Sequence, residues 1–244
     1  MTEFDDDQLW ERHAGWWQEG FTAGADAEYE EQILPLVADC VAGAHRVLDV
    51  GAGEGQVARL ASELGASLVV GLDPTWAQLT VARARAGGPV WARGRSEALP
   101  FADASFDAVI ACLVFEHIPD HVPAIQEVAR VLQLGGRFVL MMNHPLLQVP
   151  NSGWVVDHVL EEEYWRIGPY LVPDVTLEEL APGVVLPFVH RPLSQYVNAM
   201  AQQGLLIARM DEPPPPEGFL ARAKEYRDAE TIPRLLSMVA VRTS

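Results

Sequence analysis

The chain has 244 residues, 49% of them hydrophobic, which suits one α/β core with an elaboration. Its 34 Asp and Glu against 17 Lys and Arg leave a formal net charge of −17, a balance that repels phosphate backbones and anionic membranes and argues against both as partners. Cys40 and Cys112 stand alone in apolar stretches and read as buried thiols rather than a disulfide or metal site. With an acidic start and no apolar run long enough to span a bilayer, the expected location is the cytoplasm.

In chain order, residues 5–41 read as a helical lead-in. Near-continuous apolar runs at 46–50, 68–73, 89–92, 108–112 and 136–142 read as strands, with helices at 56–64, 75–86 and 122–132 between them. Gly87-Gly88 and Gly135-Gly136 stand where helices would end in left-handed caps. This alternation predicts a Rossmann-like, mostly parallel α/β sheet with helices on both faces and ligands at the carboxyl ends of its strands. The rhythm breaks across 143–190, which holds Pro145, Pro150, Pro169, Pro173, Pro182 and Pro187 and a short charged helix expected near 157–166. An irregular segment of this length usually covers something, so it reads as an inserted substrate lid, with a passive packing excursion as the alternative. A helix at 193–203, a strand at 205–210, a stiff connector from Pro213 to Pro216 and a last strand at 235–241 complete the chain. The expected division is a single domain: cap 1–43, cofactor core 44–142, lid 143–190, and a C-terminal helix with a terminal strand pair at 191–244.

The chemistry concentrates at the first strand, Val47-Leu-Asp-Val-Gly-Ala-Gly-Glu-Gly55, and at Asp73, which closes the second. A strand, a tight glycine turn and a helix start, followed by a carboxylate on the neighbouring strand, make an adenosine pocket in which Asp73 accepts from both ribose hydroxyls. The spacing is Gly-x-Gly-x-Gly, and Asp49 precedes the turn, where a carboxylate disfavours a pyrophosphate. A cationic ligand fits better, which points to S-adenosylmethionine with its positive sulfur and ammonium.

Four stretches in this order, Val47–Gly55, Gly71–Pro74, Glu97 through Ile110, and Glu116-His-Ile-Pro-Asp120, resemble the class I S-adenosylmethionine-dependent methyltransferases. Within them they are similar to the small-molecule branch that contains the ubiquinone/menaquinone biosynthesis methyltransferases. The resemblance spans about residues 45–142 and implies a seven-stranded sheet with its last strand antiparallel, S-adenosylmethionine as cofactor and S-adenosylhomocysteine as product. It implies that Asp49 holds the methionine ammonium and that the backbone of Gly51, Ala52, Gly53 and Gly55 lines the methionine and ribose. Asp73, with Pro74 ending the strand, takes the ribose diol. Gly94-Arg95-Ser96-Glu97 becomes the adenine segment, with Ser96 offering its backbone amide. Arg95 departs from the Asp common in the family, which leaves the exocyclic amine to a water or a carbonyl. Cys112 and Leu113 present carbonyls toward the ammonium, and the lead-in helix closes over the cofactor, with Trp17 and Phe21 as pocket walls.

His117, His144 and His190 are the candidate proton acceptors, since imidazole titrates near neutrality; each has a packing role as its alternative. Phe21, Tyr164, Trp165 and Arg191 are candidates for the acceptor side, while Trp10 is explained by packing. Glu97 has two readings of equal standing, a ligand contact and a brace for the glycine loop, and Asp107 reads as structural. Glu161-Glu162-Glu163 reads as a solvated helix face that cannot converge on one ion, and no metal site is expected. The expected reaction is an SN2 methyl transfer to a small, partly apolar metabolite, by a monomer or homodimer. Two readings compete: a non-catalytic S-adenosylmethionine-binding regulator, and a nicotinamide-dependent oxidoreductase, which lacks both its third glycine spacing and a Tyr-x-x-x-Lys. Cys112-Leu-Val-Phe115 in place of Asn/Asp-Pro-Pro-Tyr argues against base-amine methylation.

Overall fold

Apolar runs that are buried on both faces build the centre of the molecule. The structure, a computed structural model, describes residues 6–223 and 230–244; Asp5, the expected first residue of the lead-in, lies outside the described residues. The lead-in is helix α1 (Asp6–Gly20), then a π turn (Tyr29–Ile33) running into α2 (Leu34–Val41). The core alternates β1 (Arg46–Val50), α3 (Gln56–Glu63), β2 (Leu68–Asp73), α4 (Trp76–Arg85), β3 (Val90–Arg93), β4 (Phe106–Cys112), α5 (His121–Val131) and β5 (Leu132–Asn143). After two hairpins come α6 (Leu193–Gln202), β10 (Leu205–Asp211), α7 (Glu217–Arg222) and β11 (Leu235–Arg242).

The seven-stranded sheet has the order β10-β11-β5-β4-β1-β2-β3, and β11 runs antiparallel to both its neighbours. From β1 the chain moves outward to β2 and β3, then returns to place β4 on the other side of β1. The carboxyl ends of β1, β2 and β4 therefore surround a topological switch point, where ligands of such sheets bind. Side chains alternate across the sheet. Leu48, Val50, Val109 and Ala111 pack with Ile125 and Val128 of α5 and Met200 of α6, while Val47, Ile110 and Met141 pack with Val37 of α2 and Ala58 of α3. Period two puts Asp49 on the same face as Val47, a carboxylate facing α3.

Residues 143–190 contain no helix at 157–166. They form two antiparallel hairpins, β6 (Gly153–Asp157) with β7 (Glu162–Arg166), and β8 (Asp174–Ala181) with β9 (Val184–His190). Aromatic and β-branched pairs, Trp154 opposite Trp165 and Val155 opposite Tyr164, outweigh the helical hint of the acidic run. Asp157 turns the first hairpin by accepting the amides of Val159 (2.8 Å) and Leu160 (3.0 Å). Glu161 therefore sits in the turn at φ 56°, and only Glu162 and Glu163 lie on a strand. Gly135-Gly136 caps no helix either: α5 ends at Val131, Leu132 is already extended, and Gly135 lies inside β5. No described helix is long and apolar enough to cross a membrane.

Candidate active site

The turn after β1 is held by the strand beside it. The amides of Gly51 and Ala52 donate to the carbonyl of Leu72 at 2.8 and 3.0 Å, and Gly51, Gly53 and Gly55 all take positive φ. Asp73 carries this arrangement further: one carboxylate oxygen accepts from the Gly53 amide and the other from the Thr75 amide, both at 2.8 Å. A carboxylate has about four lone-pair sites, so Asp73 can brace the loop and still accept from a ligand. Glu54, buried behind the turn, pairs with Arg59 (2.8 Å) and Arg85, and Arg85 reaches Thr22 to tie the lead-in to the core.

Asp49 is buried, with one oxygen, Oδ2, left without a partner. Burial is the main cause that pushes its pKa up to about 8; a bond from the Ala58 amide works against this, and Asp73 and Glu54 add to it. Such a group is incomplete without a cation nearby. It lines a cavity together with Gly51, Ala52, Gly53, Asp73, Pro74, Ser96, Glu97, Cys112, Leu113, His117 and Trp17. A Cβ built on Gly53 meets nothing closer than the Trp17 indole nitrogen at 3.9 Å, so that glycine opens onto free space. Gly55 is different: it does not line the cavity, and a Cβ there would fall 2.1 Å from the Trp91 ring, so it admits a packed indole, not a ligand. Glu97 bonds Ser96 Oγ at 2.8 Å and Arg95 at 3.3 Å, not the glycine loop. Asp107, read as structural, accepts the amides of His45 and Arg46 at the start of β1.

A second cavity is walled by Trp10, Trp16, Trp17, Phe21, Tyr29, Phe188 and Phe219, with Asp26, Glu28, Asn143 and Arg234 as polar members. Trp10, Trp17, Tyr29, Leu113 and His117 line both cavities. His117 follows β4 in a short 3-10 turn (Phe115–His117), and Leu113 just before it takes φ 55°. Its Nδ1 lies 2.7 Å from the Pro187 carbonyl of β9, which can only accept, so Nδ1 carries the hydrogen and Nε2 the lone pair. Burial lowers its pKa to about 4, leaving the imidazole neutral at physiological pH. Beside it, Glu116 accepts the backbone and side-chain N–H of Asn143, both at 3.1 Å, and burial pushes it up to about 7.

The other candidates are not brought to either cavity. His144 is buried and donates from Nε2 to Glu212 at 2.8 Å while Nδ1 accepts the Leu146 amide. His190 is buried at the end of β9 with Nε2 on the Tyr170 carbonyl at 2.8 Å. Arg191 is a buried structural clamp that donates to the carbonyls of Phe115, Ile118 and Pro119 and to the Tyr196 hydroxyl. In doing so it fixes the loop that carries His117. Tyr164 and Trp165 lie on the outer β6–β7 hairpin, away from both cavities, because that segment is strand and not a helix folded over the site. Sequence reasoning gave Tyr29, Glu116 and Arg234 no role and read Trp10 as packing, whereas Trp10 lines both cavities. Trp10 had a readable signal, since seven residues before Trp17 is the same helix face.

Residues 48–140 match the family described as "Methyltransferase domain". An uncharacterized methyltransferase of Mycobacterium tuberculosis is 37% identical over 167 residues, covering 68% of this chain and 63% of that protein. A ubiquinone/menaquinone biosynthesis C-methyltransferase of Methylobacterium nodulans is 37% identical over 133 residues, 52% of this chain and 51% of the relative. The chain thus spans between half and two thirds of the length of these curated relatives. Among solved structures, an S-adenosylmethionine-dependent methyltransferase from Mesorhizobium loti superposes with a TM-score of 0.76 at 29% identity, over 89% of this chain and 98% of the other. Matched segment, relatives and sheet order agree that residues 48–140 form the core of a class I methyltransferase domain, whose cofactor is S-adenosylmethionine.

Proposed function

We propose that the protein transfers a methyl group from S-adenosylmethionine to a small, partly apolar metabolite held in the second cavity. The observation that carries this reading is the shared wall: Trp10, Trp17, Tyr29, Leu113 and His117 border both the glycine-lined cavity and the aromatic one. The cofactor supplies a methyl already activated on a positive sulfur. The chain's own task is alignment and exclusion of water, which in favourable systems contributes up to about 7–11 kcal/mol.

In this reading Asp49 gives its unpartnered oxygen to the methionine ammonium, and the backbone of Gly51 to Gly53 lies along the methionine and ribose. Asp73 accepts from the ribose diol while it braces the loop, and Pro74, Ser96 and Glu97 border the adenine. Cys112 and Leu113 turn carbonyls toward the ammonium. Residues 143–190 act as a lid through their second hairpin, since Leu180, Leu186 and Phe188 wall the aromatic cavity. A metabolite in the cytoplasm, rather than a nucleic acid, suits a chain of net charge −17.

Calorimetry with S-adenosylmethionine tests the assignment. Asp73→Asn keeps the side chain's shape but loses an acceptor facing the ribose, and affinity should fall at least about tenfold, the loss of one charge-assisted hydrogen bond. Unchanged affinity would remove Asp73 from the site.

A further inference from the structure

We infer that the acceptor is a flat aromatic hydroxyl compound, methylated on oxygen, whose hydroxyl donates to Nε2 of His117 at the wall between the two cavities. The inference rests on the methyl-transfer reading above and specifies its substrate class.

Three observations meet at His117. Its tautomer is fixed, because Nδ1 donates to the Pro187 carbonyl at 2.7 Å. Its ring is clamped edge-on from two elements, by Trp10 of α1 at 4.9 Å and by Phe188 of β9 at 4.6 Å. It borders both cavities. A neutral imidazole held this way offers one lone pair, so the group it meets must bring a hydrogen. A carbon nucleophile carries no N–H or O–H on the reacting atom itself, and methylation of a ring carbon beside a hydroxyl would give a C-methyl arene in place of the ether.

The walls then decide among hydrogen-bearing acceptors. Trp16, Trp17, Phe21, Tyr29, Phe188 and Phe219 enclose the space, and Trp17 and Phe21 already stack at 4.4 Å and 16°. Ring faces and edges in this number favour a flat aromatic body. An anionic acceptor would meet Asp26 and Glu28, offset among the described residues by a single guanidinium, Arg234, which is already 3.3 Å from Glu28. An alkylammonium has no lone pair to offer, and an imidazole lowered to about 4 does not take its proton, bound with a pKa of ~10.4. An aryl hydroxyl enters neutral, carries its hydrogen and keeps a lone pair for attack.

The step balances. The acceptor oxygen bonds the methyl carbon as the carbon–sulfur bond breaks, and that electron pair remains on sulfur. The hydrogen on the now positive oxygen is far more acidic than imidazolium, so it passes to Nε2 and then to water.

Three naphthalene probes test this with the full chain: 2-naphthol, 2-naphthylmethylamine, which is an ammonium at neutral pH, and 2-naphthoic acid. Binding is read by tryptophan fluorescence quenching and product by mass and NMR, in the presence of S-adenosylmethionine whose own binding is checked by calorimetry. The expected result is quenching by 2-naphthol and formation of its methyl ether, with the amine and acid weaker in both. His117→Asn keeps a donor near the Pro187 carbonyl but has no Nε2. It should bind 2-naphthol about 2–10-fold more weakly than the parent, the loss of one hydrogen bond, while turnover falls ~10²-fold or more, the scale of a lost proton acceptor. The inference is overturned if the amine or acid is the better acceptor, if cofactor-loaded protein gives no ether from 2-naphthol, or if folded His117→Asn turns over normally. Absence of cofactor binding would instead overturn the methyl-transfer reading beneath it.

Discussion

Asp49 sits on the α3 face of β1 among apolar neighbours, and its pKa of about 8 in the folded protein contrasts with ~3.9 in an unfolded chain. A folded pKa raised above the unfolded one means that stability is fully present below about pH 4 and is lost as pH rises toward 8, on the order of a few kcal/mol without cofactor. Asp49→Asn removes that slope. The ligand-free variant should match the parent near pH 4 and melt at a higher temperature at pH 8, as read by thermal denaturation across pH; parallel curves would show that Asp49 is not buried uncompensated. At this scale the sequence was informative about the cofactor half. Asp49, Asp73 and the glycines announce themselves because the required residue types are rare in apolar strands. The histidines were not separable, since Nδ1 of His117 finds its carbonyl on β9, 70 positions away, and His144 and His190 differ only by which partners the fold brings.

At the scale of elements, α1 covers the cavities through a few directed contacts. The Glu11 carboxylate accepts the amides of Trp76 (2.7 Å) and Ala77 (3.0 Å) at the start of α4, taking the capping role that the Thr75 side chain leaves open. Gln18 adds a bond to Gln78 at 2.9 Å. Glu11→Ala should therefore destabilise the protein by ~0.5–2 kcal/mol and weaken cofactor retention, because Trp10 and Trp17 ride on the same helix. Chemical denaturation measures the first effect and calorimetry the second; a variant unchanged in both would mean that α1 is held by other contacts. The core strands were readable in the sequence because burial on both faces leaves uninterrupted apolar runs. Residues 143–190 were not readable as hairpins: β6, β7 and β8 are partly exposed and leave no apolar run, Pro187 interrupts the buried run of β9, and cross-strand pairs such as Trp154 with Trp165 become visible only once register is known. The short helix α7 escaped for a related reason, since none of its residues is buried and no periodic stripe records it.

Across the whole molecule, the reversal of strand order at β1 and β4 creates the crevice, and the lead-in and second hairpin roof it into two spaces that share lining residues. Sheet order follows from right-handed crossovers and short connections, general constraints that a sequence inherits from its alternation of strands and helices. The acceptor cavity has no such rule behind it, because its walls come from α1, the π turn, β9 and α7, elements far apart in the chain. The central requirement is a cation that completes the buried acid of β1. Calorimetric titration with S-adenosylmethionine near pH 7, repeated in buffers of different ionisation enthalpy, tests that directly. The predicted result is one cofactor per chain with close to one proton released, as Asp49 ionises against the ammonium, and no such release in Asp49→Asn. Binding with no proton exchange in the parent, or no binding at all, would contradict it.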